Sequence, residues 1–449
     1  MRLRLLDPGV PFLAMDIPSI DAKLAEFRER GDCDLSLSAR ITPEFICAPP
    51  YRVGVAHLML KPRFLLADPV GTGKTPQALV AYGLLLDKAQ KPIRLLVLTP
   101  KAALFQWQKA VAKFLTGVEA TVVSGTVAKR AKQWQSGTQV HITTYATAAR
   151  DLDVFMPALE TFFLILDEAQ TLKGPAQSFL RPAALKLALK ARYAWGLSAT
   201  PNTGKLTDLW SIMEVIRPGI FGSSLTAFLN TYFDRVWVRL GKPIPGVKQR
   251  GFWHVKGTQN LDDLMARMRP YYLRRPAHVM SQHLPEVVFQ EVDLDLEPKQ
   301  REIYDRIVTQ YLPPAGERVE GKQINKITSL SYAQIASDAP EVLGFEGVGS
   351  SKMSELMRFL AENISEEDKV VIYTRYEKVL TWVQYHLPVP CVRISGKETA
   401  EEREQARVKF LTGTENIMLI TSAGGQALDL QAARILVFFD LPWSWGEFQ

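Results

Sequence analysis

The chain has 449 residues, 47 % hydrophobic and 22 % charged, enough apolar material for roughly two to four buried cores, so a multidomain globular protein is expected. No run reaches the ~18 apolar residues of a membrane span, and Asp7 and Asp16 stand where a secretory leader would be apolar, so the expectation is an intracellular, cytoplasmic protein without a membrane partner. The three cysteines, Cys33, Cys47 and Cys391, are too scattered for a disulfide framework or a metal cluster, whereas a formal charge of +7 leaves a polyanionic partner open.

In chain order, residues 1–48 carry no assignable motif; leucines alternate with Arg2 and Arg4, which reads as a packing arm or as a short strand or hairpin. From residue 62 onward short apolar runs alternate with helical patterns: Phe64–Ala67, Leu95–Leu98, Thr121–Val123, Val140–Thr143, Phe162–Leu166 and Tyr193–Leu197. Continuous apolar runs followed by helix-length stretches predict parallel strands buried on both faces, hence an α/β lobe over residues 49–220. Residues 221–345 read as a basic, aromatic and partly helical connecting region, with a helix from Pro298 to Leu312. Alternation resumes at Lys369–Tyr373, Cys391–Ile394, Ile417–Ile420 and Ile435–Phe439, predicting a second α/β lobe over residues 346–449.

Between Arg235 and Met280 ten basic residues, Arg250, Lys256, Arg274 and Arg275 among them, face two acids, a net charge of +8 that matches or exceeds the whole chain's. Trp237, Phe252, Trp253, Tyr271 and Tyr272 are interleaved with these cations. Such a stretch suits nucleic acid, with cations on phosphates and rings on sugar or base; a solvated face over a small aromatic core is the plainer alternative.

The strongest chemical signal is Gly71-Thr72-Gly73-Lys74-Thr75, directly after the first apolar strand and before a helical pattern. Glycines let the backbone amides curl toward phosphates, Lys74 neutralises their charge, and the Thr75 hydroxyl suits a magnesium ion. Further along, Leu164-Ile165-Leu166 ends in Asp167-Glu168-Ala169-Gln170. A carboxylate at a strand tip can reach a loop-bound Mg²⁺, giving Asp167 with Thr75 as the metal pair, while its neighbour Glu168 can orient an attacking water.

Together these motifs resemble superfamily 2 helicases, and within them the SNF2 group of double-stranded-DNA translocases. Asp68-Pro69-Val70-Gly71-Thr72-Gly73-Lys74-Thr75 is similar to the SNF2 form of the phosphate loop, Asp167-Glu168-Ala169-Gln170 to motif II, and Leu197-Ser198-Ala199-Thr200-Pro201 to motif III. Leu98-Thr99-Pro100-Lys101 with Gln106-Trp107 resembles motif Ia, Thr143-Thr144-Tyr145 motif Ib, Val371 to Tyr376 motif IV, and Thr421 to Leu430 motif V. Gly257 to Leu264, Leu273-Arg274-Arg275 and Leu284-Pro285 look like the annealing-helicase and fork-remodelling branch.

The resemblance implies two RecA-like lobes and an ATP hydrolase using ATP and Mg²⁺. The nucleotide would be held by Tyr51, Arg52, Gly71 to Thr75, Gly425 and Asp429, and Lys74, Asp167 and Glu168 would be catalytic. DNA would be touched without sequence preference by Thr99, Lys101, Thr144, Arg250, Lys256, Arg274, Arg275, Arg375, Ser395 and Thr421, with Ser198 and Thr200 coupling the two sites in a monomer. An RNA-dependent helicase and a nucleotide-gated DNA clamp that does not cycle are the alternatives.

Three departures stand out. Arg52 occupies the place of an adenine-reading Gln, where it can stack on the base or face solvent; Asp429 replaces the usual Asn of motif V; and the Gln-x-x-Gly-Arg-x-x-Arg motif VI is absent up to Gln449, so the natural protein is expected to continue beyond it.

Overall fold

The computed structural model describes residues 17–449 except 34, 46, 90, 92, 159–160, 174–178, 202–205, 223, 240–250, 281–287, 311–325, 366–367, 414, 422–431 and 443–449. Contacts divide the chain into two compact units, Met1–Pro285 and Glu286–Gln449. The boundary falls inside the stretch read as a connecting region, so its basic, aromatic half, with the helices Leu225–Tyr232 and Leu261–Met268, belongs to the first unit, and the helices Pro298–Gln310 and Lys326–Asp338 to the second.

In the first unit, strands β1 (Arg63–Leu66), β2 (Arg94–Thr99), β3 (Ala120–Val122), β4 (Val140–Thr144), β5 (Phe162–Leu166) and β6 (Tyr193–Leu197) form where the apolar runs predict them. All pair in parallel, in the order β3-β4-β2-β5-β6-β1. Every residue of β5 and β6 is buried, which is why these strands read as unbroken apolar runs and not as alternating ones. Parallel pairing brings all their C-terminal ends to one edge, and the register aligns Leu66 with Leu197, Leu166 with Gly196 and Leu98 with Leu166. The motif-bearing turns follow these residues, so that edge is where a ligand site of an open α/β sheet forms.

A hairpin follows, β7 (Phe233–Arg239) antiparallel to β8 (Gly251–Thr258), paired with no other strand among the described residues. Sequence patterning gave no warning of β9 (Tyr272–Leu273), which adds a seventh strand beside β1. Two residues are too few to show a period, and their strand geometry comes from the partner.

Arg2, Arg4 and the leucines that alternate with them lie outside the described residues, and the N-terminal stretch is described from residue 17. Its helix Ile17–Arg30 lies against the helix Pro49–Leu60, and Arg28 donates to His57 Nε2 at 2.9 Å and to the carbonyls of Arg269 and Tyr272 at 3.0 Å. Burial holds the His57 imidazole neutral, its pKa pushed down to about 3, so the ring can accept this bond. No described helix is long and apolar enough to cross a membrane.

The second unit holds four parallel strands, β10 (Lys369–Tyr373), β11 (Cys391–Ile394), β12 (Ile417–Ile420) and β13 (Ala433–Phe438), in the order β11-β12-β10-β13. Helices Pro298–Gln310, Lys326–Asp338, Ser351–Asn363, Glu377–His386 and Ala400–Thr412 belong to the same unit. The last begins with a capping box in which Thr399 and Glu402 satisfy each other's backbone amides.

This unit also buries a charged cluster. The fully buried Asp338 accepts from Lys352 Nζ at 2.5 Å, and Asp440 accepts from Thr374 Oγ1 at 2.6 Å. Burial pushes the Asp338 pKa up to about 7, the charge of Asp440 adding to the rise and Lys352 opposing it. A folded pKa above the unfolded value means the folded state binds the proton more tightly. That stability is complete below about pH 4 and is lost as pH rises through about 7. In melting curves from about pH 5 to about pH 8, wild type is therefore expected to lose more stability than Asp338→Asn; parallel curves would exclude this role.

Candidate nucleotide site and nucleic-acid face

The phosphate loop runs from the end of β1 to the helix Lys74–Leu86. Gly73 is the N-cap of that helix at φ 68°, a left-handed conformation that favours glycine, and Gly71 shares it at 74°. A Cβ at Gly73 would lie 3.4 Å from the Tyr51 ring, so Tyr51 sits against the loop. Lys74 Nζ donates to the loop's own carbonyls, Asp68 at 2.9 Å and Pro69 at 2.8 Å. Thr75 is half-buried in the first helical turn.

Beneath the loop lies a buried brace that the sequence did not reveal. The Arg275 amide and Nε each donate to Asp68 Oδ1 at 3.0 Å, and its Nη2 bonds both Asp68 Oδ2 and, at 3.0 Å, Gln77 Oε1. Gln77 Nε2 in turn donates to the carbonyls of Thr72 and Gly73 at 3.1 Å. Asp68, Gln77 and Arg275 thus tie β9 to the loop backbone. The helix Pro49–Leu60 approaches so closely that a Cβ at Gly54 would fall 1.8 Å from Gln77 Oε1. Arg275, expected to touch DNA, is therefore corrected to an internal role: it is 8 % exposed and its guanidinium is committed to Asp68.

Asp167 and Glu168 follow β5. Thr99 Oγ1 and Trp107 Nε1 both donate to Asp167 Oδ2 at 2.7 Å, and the Tyr145 hydroxyl donates to the Asp167 carbonyl at 2.6 Å. Trp107 comes from the helix Leu104–Phe114, and its buried indole N–H needs an acceptor. The second correction follows: Thr99 is fully buried and orients Asp167, which removes it from a phosphate backbone. If the indole bond sets the carboxylate's direction, Trp107→Phe should lower nucleotide turnover roughly tenfold, while thermal melting shows a stability loss of no more than about 1–3 kcal/mol because Thr99 still donates to Asp167. Unchanged turnover would reduce Trp107 to packing.

Glu168 adopts a left-handed conformation at φ 46°, unusual for a residue with a Cβ and a form of strain that clusters at functional sites. Its Oε2 accepts from Gln170 Nε2 at 2.5 Å, and Gln170 Oε1 accepts from the buried Ser198 hydroxyl at 2.5 Å. This relay joins the ends of β5 and β6. The exposed Arg274 donates to the Ala199 carbonyl at 3.3 Å, and Thr200 beside it is half-exposed.

Burial raises the pKa of both carboxyls, Asp167 adding to the rise at Glu168, and lowers that of Lys74, opposed by Glu168, Asp68 and Asp167. Two buried carboxylates share one nearby ammonium. A divalent cation would offset the remaining charge, and Asp167 with the Thr75 hydroxyl supplies the hard oxygen donors it prefers. The donor set therefore fits magnesium, although no group of three or more His, Cys, Asp or Glu able to hold a metal occurs among the described residues.

The other expected site residues fall into three sets. Lys101 and Lys256 are exposed and Arg375 is half-exposed, its amide donating to Asp440 at 2.9 Å. Thr144 caps the helix Tyr145–Phe155 by accepting from the Thr147 amide at 3.1 Å, Thr421 is buried, and Arg52 is ion-paired with Asp32 at 3.0 Å. Ser395 requires a third correction: it is fully buried, and its hydroxyl accepts from the Lys397 amide at 3.3 Å, a turn-forming bond and not a DNA contact. Arg250, Gly425 and Asp429 lie outside the described residues.

Residues 56–345 match the SNF2-related domain, and residues 351–449 match the helicase conserved C-terminal domain. The chain belongs to the SNF2-related helicase family. Among its relatives are an uncharacterized ATP-dependent helicase of Mycoplasma genitalium (24 % identical, 85 % of this chain and 35 % of the relative) and the Zorya protein ZorD of Escherichia coli (25 %, 85 % and 37 %). A third is the human SWI/SNF-related matrix-associated actin-dependent regulator of chromatin subfamily A member 1 (24 %, 85 % and 37 %). The chain thus spans little more than a third of these relatives. Among solved structures, it is similar to the Sulfolobus solfataricus SWI2/SNF2 ATPase core in complex with dsDNA at TM-score 0.47 and 22 % identity, covering 90 % of this chain and 84 % of that one. Lys74, Asp167, Glu168 and Ser198 of this SNF2-related chain lie at the strand-end edge of the first unit's sheet.

Proposed function

We propose that this protein is a DNA-stimulated ATPase that translocates along DNA and remodels branched or forked structures. The observation that carries the reading is the meeting of Lys74, Asp167 and Glu168 at one sheet edge, where burial raises both carboxyl pKa values and lowers that of the ammonium. Nucleotide phosphates offer Lys74 acceptors in place of the Asp68 and Pro69 carbonyls. Thr75 and Asp167 would hold Mg²⁺, which supplies charge neutralisation to the phosphates when bound. Glu168, ionised, accepts a proton from the attacking water; the Gln170–Ser198 relay links its position to the segment after β6.

Exposed Lys101, Lys256 and Arg274 support contact with a phosphate backbone, which gives position without sequence preference and weakens steeply with salt. The likeness of Gly257 to Leu264 and of Leu273-Arg274-Arg275 to the fork-remodelling branch supports branched DNA as the substrate, and the protein acts as a cytoplasmic monomer.

The test is ATP turnover with single-stranded, duplex and branched DNA and with RNA. DNA, and branched DNA above the rest, is expected to stimulate it, while Lys74→Ala abolishes turnover and retains DNA binding. Stimulation by RNA alone would transfer the motor to an RNA substrate, and normal turnover by Lys74→Ala would remove the site assignment.

A further inference from the structure

The hairpin of β7 and β8 is built unlike the rest of the first unit. Isolated two-stranded ribbons are marginal in water, and their exposed apolar side chains invite aggregation. This one nevertheless exposes Trp237 (40 %), Trp253 (50 %), Phe252 (49 %) and Val255 (47 %). Such exposure calls for a partner.

Its register sorts the side chains. Trp237 pairs with Trp253 and Arg235 with Val255, while Val236 pairs with His254 and Val238 with Phe252. Alternation places the first set on one face and the second on the other. On the first face the two indoles meet edge to face at 5.3 Å, and the Arg235 guanidinium lies over the Trp253 ring at 4.4 Å. The base is fixed as well: Gln259 Nε2 donates to the Thr231 carbonyl at 3.3 Å, Asn260 Nδ2 to the same carbonyl at 2.7 Å, and the Tyr232 hydroxyl to Asp263 at 2.7 Å. The rings are thus carried on a braced stalk, with little conformational entropy left to lose on binding.

Charge identifies the partner. Apart from Arg275, which is committed to Asp68, the stretch from Arg235 to Met280 carries nine basic residues against two acids, and Lys256, at the register shift of the hairpin, is exposed. Cations alone suffice for a duplex, whose base faces are stacked away from solvent. Exposed indoles among cations suit bases whose faces are free.

We propose that the Trp237–Trp253 face is a stacking platform for unpaired bases, by which the protein recognises the point where duplex gives way to single strand. The inference rests on the reading of this chain as a remodeller of branched DNA and names the element that would distinguish such DNA from plain duplex.

The experiment measures equilibrium binding, without nucleotide, to a fluorescent blunt duplex and to the same duplex carrying two unpaired arms. Wild type is expected to prefer the forked form. The Trp237→Ala/Trp253→Ala double variant should lose roughly tenfold or more on forked DNA and little on blunt duplex, which also reports that the unit has folded. Trp253→Phe keeps a ring and should retain most of the preference. Phe252→Ala, on the opposite face, should leave it unchanged. Equal losses on both DNAs, no loss on either, or a Phe252→Ala effect matching that of the indoles would each overturn the proposal. Because no hydrolysis is involved, its failure is separable from failure of DNA-stimulated turnover.

Discussion

Glu168→Gln is expected to bind ATP at least as tightly as wild type while turning it over about a hundred to ten thousand times more slowly, the range a positioned general base contributes. The substitution preserves size, and the amide oxygen can still accept from Gln170, so the relay to Ser198 survives. What is lost is the ability to take a proton from water. Binding should not suffer, because Glu168 and Asp167 are like charges in a buried site and the amide removes one of them beside an incoming triphosphate. Since burial raises the Glu168 pKa and only its ionised form acts as a base, wild-type turnover should climb as pH rises through that raised value, and the variant should lack this limb. Single-turnover hydrolysis with equilibrium ATP binding across pH checks both halves; turnover within a factor of two of wild type would assign the water-orienting role elsewhere.

The second large effect is on stability. Arg275→Ala leaves Asp68 fully buried with only the residue 275 amide as a partner, and removing one side of a buried ion pair costs about 3–5 kcal/mol. The loss should reach the nucleotide site, because Gln77 would no longer be held by the guanidinium while it anchors the carbonyls of Thr72 and Gly73. Denaturant unfolding and nucleotide affinity should therefore fall together. Arg275→Lys keeps the charge but has no planar fork to bridge Asp68 and Gln77, so it should recover only part of either loss. A variant as stable as wild type would mean that Asp68 is satisfied without its partner.

These two residues show how unevenly the site could be read in advance. Glu168 is the second of two acids directly after a five-residue apolar strand, a local pattern. Arg275 stands among cations that suit a DNA backbone, and nothing near it in the chain indicates that one arginine of a pair turns inward. Its partner lies 207 residues away. Trp107 is similar: its place in a motif is legible, but its bond to Asp167 spans 60 residues and depends on how the helix Leu104–Phe114 packs beside β3 and β4. Ser395 and Thr99 carry the hydroxyls that a backbone contact would use, yet both are fully buried, a property that periodicity in a short strand end does not reveal.

Local patterning carries ten parallel strands and the chemistry at their ends. Burial on both faces demands continuous apolar runs, and phosphate binding demands glycines, a lysine and a hydroxyl at fixed short spacing, so both are written locally. Long-range packing set the rest: β9 extends the first sheet beside β1, the boundary between units falls at 285/286, and the basic aromatic stretch raises a hairpin with its indoles outward. It also decided which cations face inward. Each of those outcomes depends on the burial and pairing of residues far apart in the chain, which local patterning does not encode.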